Sequence, residues 1–293
     1  MQVRAGELSF EVDRQGPEDA PAVVMIAGLG FQLIDWNEAF FRPLLDAGYQ
    51  IIRFDNRDIG LSSKFEAHGI PDFEKLLATK MAGQTPEVPY HVSDMADDLA
   101  AILEGLQIPA AHIVGMSMGG MVAQIFTHKY PTKALSLTSI MSTSSDPSLP
   151  GPAPEAAAIM ASAPQSQAID DIVEFGLKVN DVIGSPKFRW HRSALEAHIR
   201  TCVERSYSPT GYLRQYAAIL ATPGRRETLK EIQNKTLVIH GTDDPLLQPV
   251  CGKDVAEHVP GAEYIEVTGM GHDLSPALCS RLAELVLPHL DGA

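Results

Sequence analysis

The sequence predicts an α/β fold: a mostly parallel central sheet flanked by helices, with a helical segment inserted into it. Three observations carry this. Continuous apolar runs of strand length recur along the chain, as in "AVVMIA" at 22–27 and "YQIIRF" at 49–54. Helix-like segments alternate with them, which is the pattern of strands joined by crossover helices. The alternation then stops after 142, and only helical spacing remains until about 223.

The elements follow in order. Residues 2–4 and 8–12 alternate apolar and polar and form a hairpin. The runs at 22–27 and 49–54 suit strands buried on both faces of a parallel sheet, and 35–47 reads as the helix between them. "SDMADDLAAILEGL" at 93–106 is an amphipathic helix, with Ser93 placed to cap it, acidic residues in its first turns and apolar residues at 95, 99, 102, 103 and 106. Strands at 111–115 and 134–141 continue the series. "STSSDPSLPGPAPE" at 142–155 holds four prolines and is a linker or entry loop. Beyond it Ile169, Ile172, Val173, Gly176 and Val179 trace one helical face, and Leu195, Ile199, Cys202 and Val203 another. Strands return at 236–241 and 262–267, and a helix at 277–290 closes the chain. The predicted division is a core of 1–142 and 224–293, with a helical cap at 143–223.

Composition narrows the function. A formal charge of −14 and a pI near 5.1 would repel nucleic-acid phosphates. No stretch reaches the roughly 18 uninterrupted apolar residues of a membrane span, and the N-terminal residues lack the apolar region of a signal peptide. Cys202, Cys251 and Cys279 are too few and too scattered for a disulfide framework or a metal site. The expectation is a cytoplasmic protein without metal or organic cofactor, a monomer or homodimer, binding neither nucleic acid nor membrane.

The chemistry enters at "HIVGMSMGGMVAQIF", 112–126. Gly115-Met116-Ser117-Met118-Gly119 fits G-x-S-x-G between a strand and a helix, the sharp turn that lifts a nucleophilic serine clear of a sheet. Gly120 leaves further room at the helix start, where amide groups and the helix dipole favour a developing anion. A serine hydroxyl needs a base, and the base needs an acid to orient it. Of ten histidines, His272 in "VTGMGHDL" follows the 262–267 strand on a glycine-lined loop. His240 ends a strand and reads as structural. The acid is Asp243 or Asp244, both directly after the 236–241 strand. All three groups then follow strands, in the order serine, aspartate, histidine.

With these motifs assembled, the chain resembles the α/β-hydrolase-fold serine esterases over nearly its whole length. The matching residues are "VGMSMGGMVAQ", "DNRDIGLS" at 55–62, "GTDDP" at 241–245 and "GMGH" at 269–272. Among subgroups, "DNRDIGLS", "GTDDP" and "GYLRQYAAILA" at 211–221 resemble the bacterial aclacinomycin methylesterase-like hydrolases. The resemblance implies a catalytic Ser117, His272 and Asp244, the last chosen over Asp243 because the family's acid immediately precedes the proline. By position, the oxyanion hole falls to the backbone N–H groups of Leu29 and Met118. Many members carry His-Gly after the first buried strand where this chain has Ala27-Gly28. The hole requires main-chain donors rather than that histidine. "AGLG" also lacks the continuation of a phosphate-binding loop. Within "DNRDIGLS", Arg57 paired with a carboxylate would hold loops in register.

The expected activity is hydrolysis of small to medium apolar carboxylic esters through an acyl-enzyme, with a small-molecule ester and water as partners. Gly28, Gly30, Phe31, Met116, Trp190, Tyr207, Tyr212 and Tyr216 are the pocket candidates. The same three groups also serve lactones, thioesters, carbon–carbon bonds or perhydrolysis, and a hydrolase-fold ligand receptor is a further alternative.

Overall fold

The computed structural model describes residues 1–291. Eight strands form one sheet: β1 (Gln2–Ala5), β2 (Leu8–Gln15), β3 (Ala22–Ile26), β4 (Gln50–Phe54), β5 (Ala111–Met116), β6 (Ala134–Ile140), β7 (Lys235–Gly241) and β8 (Glu263–Val267). Their order across the sheet is β1-β2-β4-β3-β5-β6-β7-β8. The β1–β2 and β2–β4 pairs are antiparallel, and every later pair is parallel.

The helices are α1 (Glu38–Asp46), α2 (Phe73–Met81), α3 (Val92–Gly105), α4 (Met118–Lys129), α5 (Pro154–Met160), α6 (Ile169–Ile183), α7 (Arg192–Arg205), α8 (Pro209–Ala221), α9 (Arg226–Leu229), α10 (Pro249–His258) and α11 (Pro276–Asp291). The continuous apolar runs have a simple cause: the sheet is covered on both faces. Along β3, Val24 and Ile26 join a cluster with Met95, Leu99, Val122 and Phe126 of α3 and α4. Val23 and Met25 point the other way and join Phe40, Leu44, Leu282 and Val286 of α1 and α11. Each face therefore buries a different half of the same run.

Helices α5 to α8 all lie between β6 and β7 in the chain. Val173 and Leu177 of α6 pack with Leu195 of α7 in a small cluster of their own, with Trp190 and Ile199 beside it. Ile169, expected on the apolar face of α6, is the helix's first residue and is exposed.

Several expectations change in detail. The second hairpin strand runs on to Gln15 because β2 continues past β1 to pair with β4. The 35–47 helix divides into a 3₁₀ turn, Leu33–Asp35, and α1, whose first turn is capped by the Asn37 side chain accepting from the Ala39 N–H. Ser93 is not the cap of α3. The helix begins at Val92, and Asp94 reaches back to accept from the His91 N–H at 2.7 Å. That acidic side chain has the length to span the first turn and also favours the positive end of the helix. Among the described residues no helix is long and apolar enough to cross a membrane.

Candidate active site

The centre of the site is the junction of β5 and α4. Ser117 sits between them with φ 53° and ψ −120°, a left-handed conformation that a side chain adopts only under constraint. The constraint is steric. A Cβ on Gly119 would lie 2.1 Å from the Ile26 carbonyl oxygen, and one on Gly115 would lie 2.1 Å from the Gly119 carbonyl oxygen. The glycines thus let α4 press against β3, and the turn has no wider course. The Ser117 N–H donates to the Ile140 carbonyl, and its own carbonyl accepts from Ser142 Oγ at 2.8 Å.

Two further loops reach this serine from the ends of β7 and β8. His272 Nε2 lies 2.9 Å from Ser117 Oγ, and His272 Nδ1 lies 2.7 Å from Asp244 Oδ2. A carboxylate only accepts, so Nδ1 carries the hydrogen and Nε2 presents its lone pair to the serine hydroxyl. Asp244 is buried and its carboxylate is saturated. Oδ1 accepts from the N–H groups of Leu246 and Leu247, each at 2.9 Å. Oδ2 faces both His272 and His240, the latter 3.3 Å away. Burial opposes the charge of Asp244, but the two histidines and the hydrogen bonds outweigh it and hold the carboxyl well below the usual carboxylate range. Asp243 is turned elsewhere: its exposed carboxylate accepts from the Thr242 hydroxyl and from the Gly269 N–H at 3.1 Å. The structure therefore brings Asp244, and not its neighbour, to the histidine.

The loop bearing His272 is fastened to the helices that follow β6. The His272 N–H donates to the Ile183 carbonyl at 2.7 Å, and the Gly271 N–H to Ser185 Oγ at 2.9 Å. Asp273, buried beside them, accepts from the Ser185 N–H and from Asn180 Nδ2, each at 3.0 Å. Sequence reading did not single out these anchors, because they join residues some ninety positions apart.

Gly28 passes close to the serine; a Cβ there would lie 3.4 Å from Ser117 Cβ. Leu29 follows it, and among the described residues neither the Leu29 N–H nor the Met118 N–H has an internal acceptor. Gly30 has φ 73°, donates its N–H to Gln215 Oε1 at 2.9 Å and packs so tightly on the Tyr212 ring that a Cβ would lie 2.7 Å from it. Burial raises the Tyr212 hydroxyl to about 12. Phe31 is exposed at the mouth of the same loop. The remaining candidates lie in other surroundings. Met116 is buried in the core with Val114 and Met141. Trp190 stacks on His198. Tyr216 is exposed against Phe73 of α2, and Tyr207 is exposed.

The "DNRD" loop after β4 is the brace of this region. Arg57 binds Asp98 of α3 through two hydrogen bonds of 2.6 and 2.7 Å. Asp55 holds the Leu33 and Leu61 N–H groups and pairs with Arg205 of α7 at 2.8 Å. Asp58 pairs with Arg214 of α8, again through two contacts, and accepts from the Tyr90 hydroxyl. Gln215 Nε2 donates to the Arg57 carbonyl while its Oε1 holds Gly30, so one side chain joins the β3 and β4 loops.

A serine hydroxyl aligned on an imidazole, itself aligned on a buried carboxylate, can deliver an alkoxide to an electrophilic carbon and move the proton to a leaving group. Comparison with known proteins gives the family and its hydrolase relatives. The family profile described as alpha/beta hydrolase fold matches residues 21–275. The rhodomycin D methylesterase DnrP of Streptomyces peucetius is 26% identical, over 94% of this chain and 93% of its own. The 3-oxoadipate enol-lactonase 2 of Acinetobacter baylyi is also 26% identical, over 93% of this chain and 90% of its own. Among solved structures, the meta-cleavage product hydrolase of Pseudomonas fluorescens IP01 superposes with a TM-score of 0.74 at 18% identity, covering 100% of this chain and 97% of that one.

Proposed function

The chain belongs to the α/β-hydrolase fold family and is a hydrolase of ester bonds, and from that premise we propose that Ser117, His272 and Asp244 cleave carboxylic esters through an acyl-enzyme. The observation that carries this is the unbroken alignment from Ser117 Oγ through His272 to Asp244, at 2.9 and 2.7 Å.

Ser117 Oγ attacks the ester carbonyl carbon while His272 Nε2 takes its proton. The carbonyl oxygen becomes an oxyanion, held by the Leu29 and Met118 N–H groups; one such donor contributes roughly 3 kcal/mol in other enzymes. Asp244, kept ionised by its surroundings, stabilises the imidazolium and fixes its orientation. The proton then passes to the departing alkoxide, and the alcohol leaves an acyl group on Ser117. Water, deprotonated by His272, attacks that acyl carbon, and collapse releases the acid and restores the serine. No step calls on a metal or an organic cofactor.

The substrate class is small to medium apolar esters. Residues 143–223 act as a cap over the core formed by 1–142 and 224–293. The separate α6–α7 cluster supports treating them as a unit, and the His272 anchors at Ile183 and Ser185 tie that cap to the reacting groups. The methylesterase among the relatives makes a methyl ester the first substrate to try.

The test is hydrolysis of p-nitrophenyl butyrate by the wild type and by Ser117→Ala. Turnover by the wild type that falls by roughly 10³-fold or more in a folded Ser117→Ala variant is the expected result. Equal turnover in both would remove Ser117 from the mechanism.

A further inference from the structure

Away from the serine, three side chains of different chemistry meet where α7 crosses the 32–36 turn. Asp35 Oδ1 lies 2.8 Å from His198 Nε2 and 3.6 Å from Cys202 Sγ, and Sγ lies 3.6 Å from the same His198 nitrogen. All three are partly buried, and no other group of three such ligands this close occurs among the described residues. His198 and Cys202 are one helical turn apart on one face of α7. Asp35 closes the 3₁₀ turn, and its second oxygen is occupied by the Gln32 N–H at 2.7 Å, which leaves Oδ1 aimed at the helix.

We propose that Asp35, His198 and Cys202 bind one divalent transition-metal ion of the Zn²⁺ type, clipping α7 to the loop that follows β3. The geometry argues for it. Zinc sits about 2.0 Å from carboxylate oxygen, about 2.05 Å from imidazole nitrogen and about 2.3 Å from thiolate sulfur, so tetrahedral ligands stand about 3.3 Å apart for oxygen and nitrogen and about 3.5 Å apart for either one and sulfur. The two edges to sulfur already match. The third opens by about half an ångström, exchanging the Asp35–His198 hydrogen bond for two metal bonds.

The donor set selects the ion. One thiolate, one imidazole and one carboxylate suit Zn²⁺ and are too soft for Mg²⁺ or Ca²⁺. Binding converts the Cys202 thiol to thiolate and frees the His198 nitrogen, and the displaced protons go to solvent. His198 retains 24% of its side-chain exposure and Asp35 13%, so an ion has a way in and water can fill the fourth position. The His198 ring is held against Trp190, stacked at 5.6 Å with 20° between the planes. The neighbouring Arg205 charge is paired with Asp55 at 2.8 Å. The clip also supports a contact already present: Gln32 Nε2 donates to the carbonyls of Cys202 and Ser206 at 2.7 and 2.9 Å. The ion serves structure rather than ester cleavage, since none of its ligands touches the Ser117–His272–Asp244 alignment.

The experiment is titration of chelator-stripped full-length protein with Co²⁺, then with Zn²⁺ as competitor. One equivalent of Co²⁺ should produce a thiolate-to-cobalt charge-transfer band that Zn²⁺ abolishes, and Zn²⁺ alone should raise Tm. Cys202→Ser should lose the band and the Tm shift, whereas Cys251→Ser should keep both. His198→Ala, a second and chemically distinct variant, should weaken Co²⁺ binding at least tenfold. Binding without the band, or a band that survives Cys202→Ser, would mean an adventitious ion only and overturn the site. No ester is involved in these readings, and the Ser117→Ala protein should give the same titration, so this proposal and the esterase reading fail separately.

Discussion

Asp244 Oδ2 is shared by two imidazoles: His272 Nδ1 lies 2.7 Å from it and His240 Nε2 lies 3.3 Å from it. The second histidine is wholly buried, and its Nε2 also lies 2.7 Å from the Leu247 carbonyl oxygen. A carbonyl cannot donate, so His240 Nε2 carries a hydrogen, directed at once to the carbonyl and to the carboxylate. His240 is thus a second donor to the acid, beside His272. Gly252 of α10 packs directly on this ring; a Cβ there would lie 2.2 Å from His240 Nδ1.

His240→Phe keeps the ring volume and removes the donor. A hydrogen bond to a charged group contributes roughly 1.5–3 kcal/mol, so kcat should fall about tenfold or more while KM stays nearly constant. His240→Gln restores a donor and should recover part of the loss. The readout is the split between kcat and KM on p-nitrophenyl butyrate. An unchanged kcat in a folded His240→Phe protein would show that His272 alone is enough to hold Asp244.

The two adjacent aspartates should separate cleanly. Asp244→Asn should lower kcat by roughly 10⁴-fold, because the amide can present the wrong hydrogen-bonding group to His272 and carries no charge to stabilise an imidazolium. Asp243→Asn alters only an exposed loop contact with Thr242 and Gly269 and should change kcat by no more than about twofold. Steady-state kinetics of both variants decides the matter, and the opposite ranking would displace Asp244 as the acid.

The Asp58–Arg214 pair makes a stability prediction. Both side chains are within 1% of full burial, and each is otherwise satisfied, Asp58 by Tyr90 and Phe65 and Arg214 by the Gly69 carbonyl. Arg214→Met leaves a buried carboxylate without its cation and should cost roughly 3–5 kcal/mol in urea unfolding. Adding Asp58→Asn should return part of that, since asparagine tolerates the left-handed backbone at this position, φ 73°, and removes the stranded charge. A loss below about 1 kcal/mol in the single variant would mean that the pair is hydrated or dispensable.

What could be read in the sequence, and what could not, divides along physical lines. The strands of the sheet interior were legible because burial on both faces gives them continuous, mostly apolar runs with few polar residues. Ser117 was legible because three glycines around one serine answer a local steric demand. Helices α2 and α10 were not, for they bury little: Leu76 alone in α2, and in α10 chiefly Cys251 and Val255, with Gly252 and Asp254, so no apolar stripe marks them. The cap of α3 was misplaced by two residues because the residue before the helix is His91, whose N–H is held by Asp94 from inside the first turn, so that no Ser, Thr, Asp or Asn stands at the cap position to be read. Choosing Asp244 over Asp243 needed a family resemblance, since both follow the strand. The "DNRD" motif was legible as a brace through Arg57, but its partners Arg205 and Arg214 and the Ser185–Asp273 contact were not, because each joins distant positions whose meeting only the fold arranges.

Two buried histidines at the base of the sheet should make stability fall on mild acidification. Burial lowers His112 to about 4, with Lys235 adding to the effect, and burial lowers His289 likewise to about 4, helped by Lys235. Their unfolded values lie near 6.5, so between about pH 6.5 and 4 the unfolded chain binds protons that the folded chain refuses. Their stabilisation is fully present above the unfolded value and is lost as the pH falls through that window, with a slope approaching one proton per histidine. Neither ring is hydrogen-bonded to a carboxylate, and the Asp291 charge, which favours protonated His112, is outweighed by burial and Lys235: His112 Nδ1 meets Ser136 Oγ at 2.9 Å, and His289 Nε2 is buried without a partner among the described residues. Urea unfolding of the wild type across this range should therefore show stability declining from pH 6.5 to 4, and His289→Leu should remove close to half of these two groups' share of the slope. A slope identical in the two proteins would mean that His289 is protonated in the folded state as readily as in the unfolded one.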